Sequence, residues 1–271
     1  MPSNLHAGLL ILVTLVLMAF AYIYVRGWCQ LRIDLPDLLS IWRLAAFMSG
    51  LLSLWAVFGS PLSGMDHHLL IAHMMEHLLL MTVAAPLILL GAPAVTLLHG
   101  IPRHLLLPFL RFPTLHAISR ILIHPVFCWL AGTATVIGWH IPALFAIGMR
   151  SEASHSAEQA SFFLAGLLFW WPVILPWPSL ATWPRWHLPL YLFLATLPCD
   201  ALGAFLTFCG RVVYPHYISK HRPFDISALS DQECAGALMW VWVTFAYLVP
   251  AAVITVQMLL PRGRSLKAQV V

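Results

Sequence analysis

Long apolar runs, separated by short polar or proline-rich stretches, set the pattern of the chain. Seven runs stand out, at roughly 5–25, 41–59, 69–90, 124–140, 156–175, 189–209 and 232–260. Leu5 to Tyr24 and Val241 to Leu260 are each about 20 residues long and carry no Lys, Arg, Asp or Glu, enough at ~1.5 Å per residue for a helix to cross a hydrocarbon core of ~30 Å. The pattern predicts an all-α polytopic membrane bundle of about seven transmembrane helices in one domain spanning 1–271. Gly91 to Ile123 is broken by Pro93, Pro102, Pro108 and Pro113 and mixes Arg with Leu and Phe, which reads as an interfacial helix. No internal repeat is visible.

Composition agrees with a bilayer as solvent. Hydrophobic residues make up 61% of the 271 positions and charged residues 9%, a balance that would leave a water-soluble domain with large exposed apolar patches. Met1 to Leu5 carries no Lys or Arg, so the first helix is expected to stay in place and not to be cleaved as a signal peptide. The net charge of +4 is modest and its cations lie at helix ends, which argues against nucleic acid as a partner. With the N-terminus outside, the inner connections hold Arg26, Arg32, Arg43, Arg103, Arg111, Arg120, Arg185, Arg262, Arg264 and Lys267. The outer ones hold Arg150, Arg211, Lys220 and Arg222. Ten against four predicts N-terminus out and C-terminus in. Five cysteines show no CxxC spacing, so neither a disulfide framework nor a cysteine zinc site can be read from them. Cys209 and Cys234 fall near helix ends and are the pair best placed to meet an oxidising compartment.

The chemistry gathers around His73 and His77. Four residues apart in a helical segment, they project from one face within reach of a shared ion. Ionisable residues in a membrane helix are costly and face a bundle interior or a functional site; the plainer alternative is two histidines capping polar groups between helices. Asp66, His67 and His68 stand at the helix entrance, with Asp66 a candidate N-cap. Glu76 could orient an imidazole or lie on another face. Met65, Met74, Met75 and Met81 offer soft sulfur but serve more often as packing or lipid-facing residues, and Met81 alone shares the His77 face by an i, i+4 step. With the N-terminus outside, His140, His155, Glu158, Gln159, Asp231, Glu233 and Met239 from other helices fall at the same membrane level as His73 and His77. Each has a structural alternative: an interfacial belt residue for His140, a loop histidine for His155, an N-cap of the last helix for Asp231. Asp200 lies alone in the sixth run, where an acid must pair or bind a cation.

His73-Met74-Met75-Glu76-His77 with Ala85-Pro86-Leu87-Ile88-Leu89-Leu90-Gly91-Ala92-Pro93 resembles the signature of the CtaG family of caa-type cytochrome c oxidase assembly factors. Trp139-His140-Ile141-Pro142, His155 and Phe169-Trp170-Trp171-Pro172 are similar to its second block. Tyr214-Pro215, Asp231-Gln232 and Gly236-Ala237-Leu238-Met239-Trp240 are similar to its last. The resemblance covers about residues 66 to 245. It implies a seven-helix protein of the bacterial inner membrane that is not an enzyme. Such a protein helps a haem-copper oxidase of the respiratory chain acquire its copper, with oxidase subunit II or I and a copper donor protein as partners. It further implies copper as the metal, with ligands among His73, His77, His140, His155, Glu158, Asp231 and Met239. Gln159 stands where family members often have a second histidine, and glutamine is a poor copper ligand; Glu158 or Met239 would then complete the site.

Three other classes compete. A haem site would need His140 or His155, because residues at i and i+4 of one helix cannot take opposite axial positions. A di-iron hydroxylase needs several HxxxH sets and a zinc protease needs HExxH, and neither is present. A copper transporter or a structural respiratory subunit remains, with Asp200 the residue that favours transport.

Overall fold

The computed structural model describes residues 2–33, 39–59, 64–101, 122–174, 184–220 and 226–260. Among them the chain is helical throughout, without strands. Its helices are α1 (Pro2–Leu31), α2 (Ile41–Gly59), α3 (Leu70–Leu78), α4 (Ala85–Leu90), α5 (Pro93–Gly100), α6 (Pro125–His140), α7 (Pro142–Gly148), α8 (Glu152–Ile174), α9 (His187–Phe208) and α10 (Ala228–Leu259). A π-helical turn, Leu79–Ala84, joins α3 to α4 into one span, Leu70–Leu90. Among the described residues six helices are long and apolar enough to cross a bilayer. Counting α6 and α7 together makes seven.

That seventh span is the one that departs from a simple rod. The expected 124–140 run forms α6, but the chain then bends by 85° into α7. Ile141 sits between them in extended conformation, as the residue before a proline is forced to do, and Pro142 opens the next helix at its first position. The interfacial helix expected in 91–123 corresponds in part to α5; residues 102–121 lie outside the described residues. The first helix runs on to Leu31, beyond the expected end near residue 25, and Arg32 folds over the Trp28 ring at 4.6 Å. All five cysteines are free, so Cys209 and Cys234 are not joined: Cys234 is exposed, and the Cys209 thiol donates to the Arg211 carbonyl.

Close helix approach rests on small residues, as is usual where no water-driven force separates helix from lipid. A methyl group on Gly236 would meet the Gly203 carbonyl at 2.8 Å and the Thr207 hydroxyl at 2.7 Å, which locates the tight contact of α9 with α10. Leu12, Leu15, Met18 and Tyr22 of α1 and Phe245, Val249 and Val256 of α10 remain exposed. These are the faces a bilayer covers.

The position of α3 is set from outside itself. Leu69, at its N-cap, supplies no side-chain acceptor. Instead Asp231 of α10 reaches across and takes two of the orphan donors, Leu70 N–H to Oδ2 at 2.7 Å and Ile71 N–H to Oδ1 at 3.1 Å. The first N–H groups of a helix need such partners and a carboxylate complements the helix dipole there. The cap of α10 is Ser227, which accepts from Ser230 N–H. Asp231 therefore fixes the depth of α3 against α10. Further along the span, Trp170 of α8 donates to the Met81 carbonyl inside the π-turn at 2.9 Å, and Gly166 lets α8 come so close that a methyl group there would lie 2.9 Å from the Met81 Cα.

Asp231→Ala leaves those two N–H groups without an acceptor and is expected to cost about 2 kcal/mol, lowering the thermal unfolding midpoint in detergent. Asp231→Asn, which keeps one carbonyl oxygen, is expected to fall between it and the wild type. Equal midpoints for all three would show that α3 needs no cap from α10.

Candidate metal centre

One helical turn below the Asp231 cap, α3 presents two imidazoles to the bundle core. His73 Nε2 and His77 Nε2 lie 2.8 Å apart, their rings edge to face at 4.3 Å. Glu158 of α8 closes the group: its Oε1 is 3.4 Å from His73 Nε2 and 3.3 Å from His77 Nε2. His73 and Glu158 are 1% exposed. The circle through those three atoms has a radius of about 1.8 Å, so an ion with bonds of about 2.0 Å to each fits just off their plane. His73 Nδ1, His77 Nδ1 and Glu158 Oε2 find no hydrogen-bond partner among the described residues, an unusual accumulation of unmet polar atoms in a core.

Surrounding side chains hold the group in place. His77 stacks on Phe162 of α8, centroids 3.9 Å apart, and His73 meets the edge of Phe145 of α7 at 5.2 Å. Gly148, at the end of α7, makes room for Glu158, since a methyl group there would lie 2.5 Å from Oε2. The bend at Ile141 thus brings α7 over the carboxylate. Two tyrosines from the connection between α9 and α10 tie the top of this region: Tyr214 OH donates to the His140 carbonyl at 3.1 Å, and Tyr217 OH donates to the Asp66 carbonyl at 2.7 Å.

The remaining candidates separate into distinct places. His155 does not join His73 and His77; its Nδ1 faces Asp66 Oδ2 at 3.2 Å, with its ring parallel to His73 at 5.4 Å. Burial holds the Asp66 carboxyl above the usual carboxylate range, opposed by His67 and His73. His140 lies deeper. Its Nδ1 donates to the Val136 carbonyl at 2.7 Å in the neutral tautomer, which turns the Nε2 lone pair toward Met74 Sδ at 3.3 Å. Met239 lines, with Met74, Met81, His77, His140 and Cys199, a cavity of about 30 Å³, room for about two waters or an ion. Asp231 caps α3, as described above. Glu76 accepts from Gln159 Nε2 at 2.9 Å, so Gln159 is committed to that acid. Asp200, without an evident partner in sequence, accepts from Thr244 Oγ1 at 3.1 Å.

Two contributors are absent from the sequence candidates: Glu152, which stands beside His67, and Gly148, which admits Glu158. His67 and Met74, both candidates, find their partners in Asp66 and His140. The i, i+3 relation of Glu152 to His155 was the available signal for the first; the second depends on the bend at Ile141 and on helix packing.

The sequence model of the cytochrome c oxidase caa3 assembly factor family (Caa3_CtaG) matches residues 22–260. The chain belongs to that family. No curated protein and no solved structure matches it. The matched stretch contains every residue of the centre, and an assembly factor of cytochrome c oxidase has the oxidase as its partner.

Burying two imidazoles and a carboxylate costs more than their mutual attraction returns unless something else occupies the centre. The triple variant His73→Leu, His77→Leu, Glu158→Leu is expected to unfold at a temperature equal to or above that of the metal-free wild type. A midpoint lower by several degrees would show that the group serves to hold the bundle together.

Proposed function

We propose that this caa3 assembly factor binds copper as cargo at His73, His77 and Glu158, on the outer side of the bacterial inner membrane, and delivers it to the oxidase. The observation that carries the proposal is the convergence of two Nε2 atoms and a carboxylate oxygen within 3.4 Å, while the far-side atoms of the same side chains, His73 Nδ1, His77 Nδ1 and Glu158 Oε2, are buried without hydrogen-bond partners among the described residues. Imidazole suits copper well, and three ligands leave coordination positions open. An acceptor side chain on oxidase subunit II or I enters there and withdraws the ion by stepwise exchange, so that copper is not released to water. A donor protein supplies it by the reverse exchange. No bond of a substrate is made or broken, so the chain acts as a carrier and not as an enzyme. The excess of Lys and Arg in the connections on the other side supports N-terminus out and C-terminus in.

Rival readings fit less well. The two Nε2 atoms face each other at 2.8 Å, which leaves no space for a porphyrin between them. The larger apolar cleft, about 740 Å³ and lined by residues such as Phe20, Phe47, Leu97 and Phe163, has no histidine among the described residues of its walls. Transport across the membrane needs a polar pathway through the midplane, and Asp200 is engaged by Thr244.

Copper analysis of purified protein tests the proposal: His73→Ala/His77→Ala is expected to lose at least tenfold in copper affinity, and cells carrying it to produce oxidase deficient in copper. Gly148→Ala, which leaves all three ligand side chains in the sequence but displaces Glu158, is expected to weaken copper binding in the same direction. Equal copper in wild type and the double histidine variant would overturn it.

A further inference from the structure

Between the centre and the end of the bundle lies a second cluster. Asp66 and His67, in the turn before α3, face Glu152 and His155 in the first turn of α8. His155 Nδ1 is 3.2 Å and His67 Nε2 3.9 Å from the same oxygen, Asp66 Oδ2, and His67 Nε2 is 3.8 Å from Glu152 Oε1. One ligand atom each from Asp66, His67 and His155 falls within 4.8 Å of the others. The two His67 distances are too long for hydrogen bonds. They are also shorter than about 4.2 Å, twice a typical ligand–ion bond, so one ion can be shared by the atoms on either side. Exposure falls steadily inward: Glu152 52%, His67 30%, His155 6% and His73 1%. The cluster touches solvent at one end. At the other, the His155 ring lies parallel to that of His73 at 5.4 Å, and its Nε2 is buried without a partner among the described residues.

We propose that Asp66, His67 and His155, with Glu152 at the rim, form a second metal site that receives a copper ion from solution or a donor and passes it inward to His73, His77 and Glu158. The inference rests on the copper reading of the inner centre for the identity of the cargo. Its donor set, two imidazoles with one or two carboxylates, suits a divalent first-row ion. The partial exposure of His67 makes the site open to exchange, whereas the inner centre is closed. His155 is the shared element: a rotation of its ring changes which nitrogen faces the ion and which faces His73. Asp66 gains a second function from the same geometry, since its main-chain carbonyl is anchored by Tyr217 while its carboxylate is left for the ion. The competing arrangement, in which Asp66 only orients His155 toward a single inner ion, requires one ion per chain and not two.

Counting Cu(II) bound to the full-length chain in detergent micelles, after removal of loose metal, separates these cases. Wild type is expected to hold two ions. Asp66→Asn/His67→Ala is expected to hold one and to load it at least tenfold more slowly, and His73→Ala/His77→Ala to hold one that exchanges rapidly. His67 is partly exposed and Asp66→Asn is isosteric, and an unchanged thermal midpoint of the metal-free variant confirms that the bundle is intact. A single wild-type ion, lost in the His73/His77 variant and retained at the normal loading rate in the Asp66/His67 variant, overturns the outer site and leaves the inner proposal standing. Two ions in both wild type and the Asp66/His67 variant overturn it as well. No ion in wild type overturns both proposals.

Discussion

Asp231 donates nothing to the centre directly, yet its carboxylate decides where the centre is. By accepting from Leu70 N–H and Ile71 N–H it joins the start of α3 to α10 across 161 residues of sequence. A bilayer sets the depth of a spanning helix only coarsely and gives helices no hydrophobic drive toward one another, so the register of α3 against α10 must come from polar contacts and small-residue packing. The next turn of α3 carries His73 and the turn after it His77. A slip of α3 by one residue along α10 would move both rings by about 1.5 Å and turn them by about 100°. Asp231, Tyr214, Tyr217 and Gln232 together form a polar lid at one end of the bundle: Gln232 accepts from Val213 N–H at 2.7 Å and donates to the Arg211 and Leu206 carbonyls, which steadies the connection that bears both tyrosines.

What this scaffold holds is unfavourable on its own. Two imidazole nitrogens 2.8 Å apart, a carboxylate oxygen beside both and three further polar atoms without partners among the described residues form an arrangement that an apolar core would improve upon. Clusters of this kind persist where function requires them. The π-turn that follows, Leu79–Ala84, departs from regular α-helix in the same span as the two histidines, and its Met81 carbonyl is taken up by Trp170. Such turns tend to occur at functional sites. Beside the imidazoles a small cavity adds sulfur side chains, with Met74, Met81, Met239 and Cys199 joining His77 and His140 in its walls.

Much of the fold was legible because the signals are those of a bilayer: apolar runs of spanning length and prolines at their borders. The bend at Ile141 could have been suspected from Pro142, but its angle is a matter of packing. At the centre, the i, i+4 relation placed His73 and His77 side by side, and helix periodicity suffices for that. The apportionment of the rest was not legible. His140 and His155 were equivalent as third ligands in sequence, whereas the structure turns His140 toward Met74 and His155 toward Asp66 and leaves Glu158 beside the pair. Those outcomes depend on the rotation of α6 and α8 about their axes, which a helix of low amphipathic contrast does not announce. Asp231 illustrates the same limit: a cap was a sound expectation for an acid at that position, but its helix is α3 and not its own.

X-ray absorption at the copper edge of the loaded protein tests the central claim most directly. The account predicts a first shell of nitrogen and oxygen at about 2.0 Å, with the multiple scattering of two imidazoles, reduced to one in His77→Ala. A shell dominated by sulfur at about 2.3 Å, unchanged in His77→Ala, would place the ion among the methionines and contradict it.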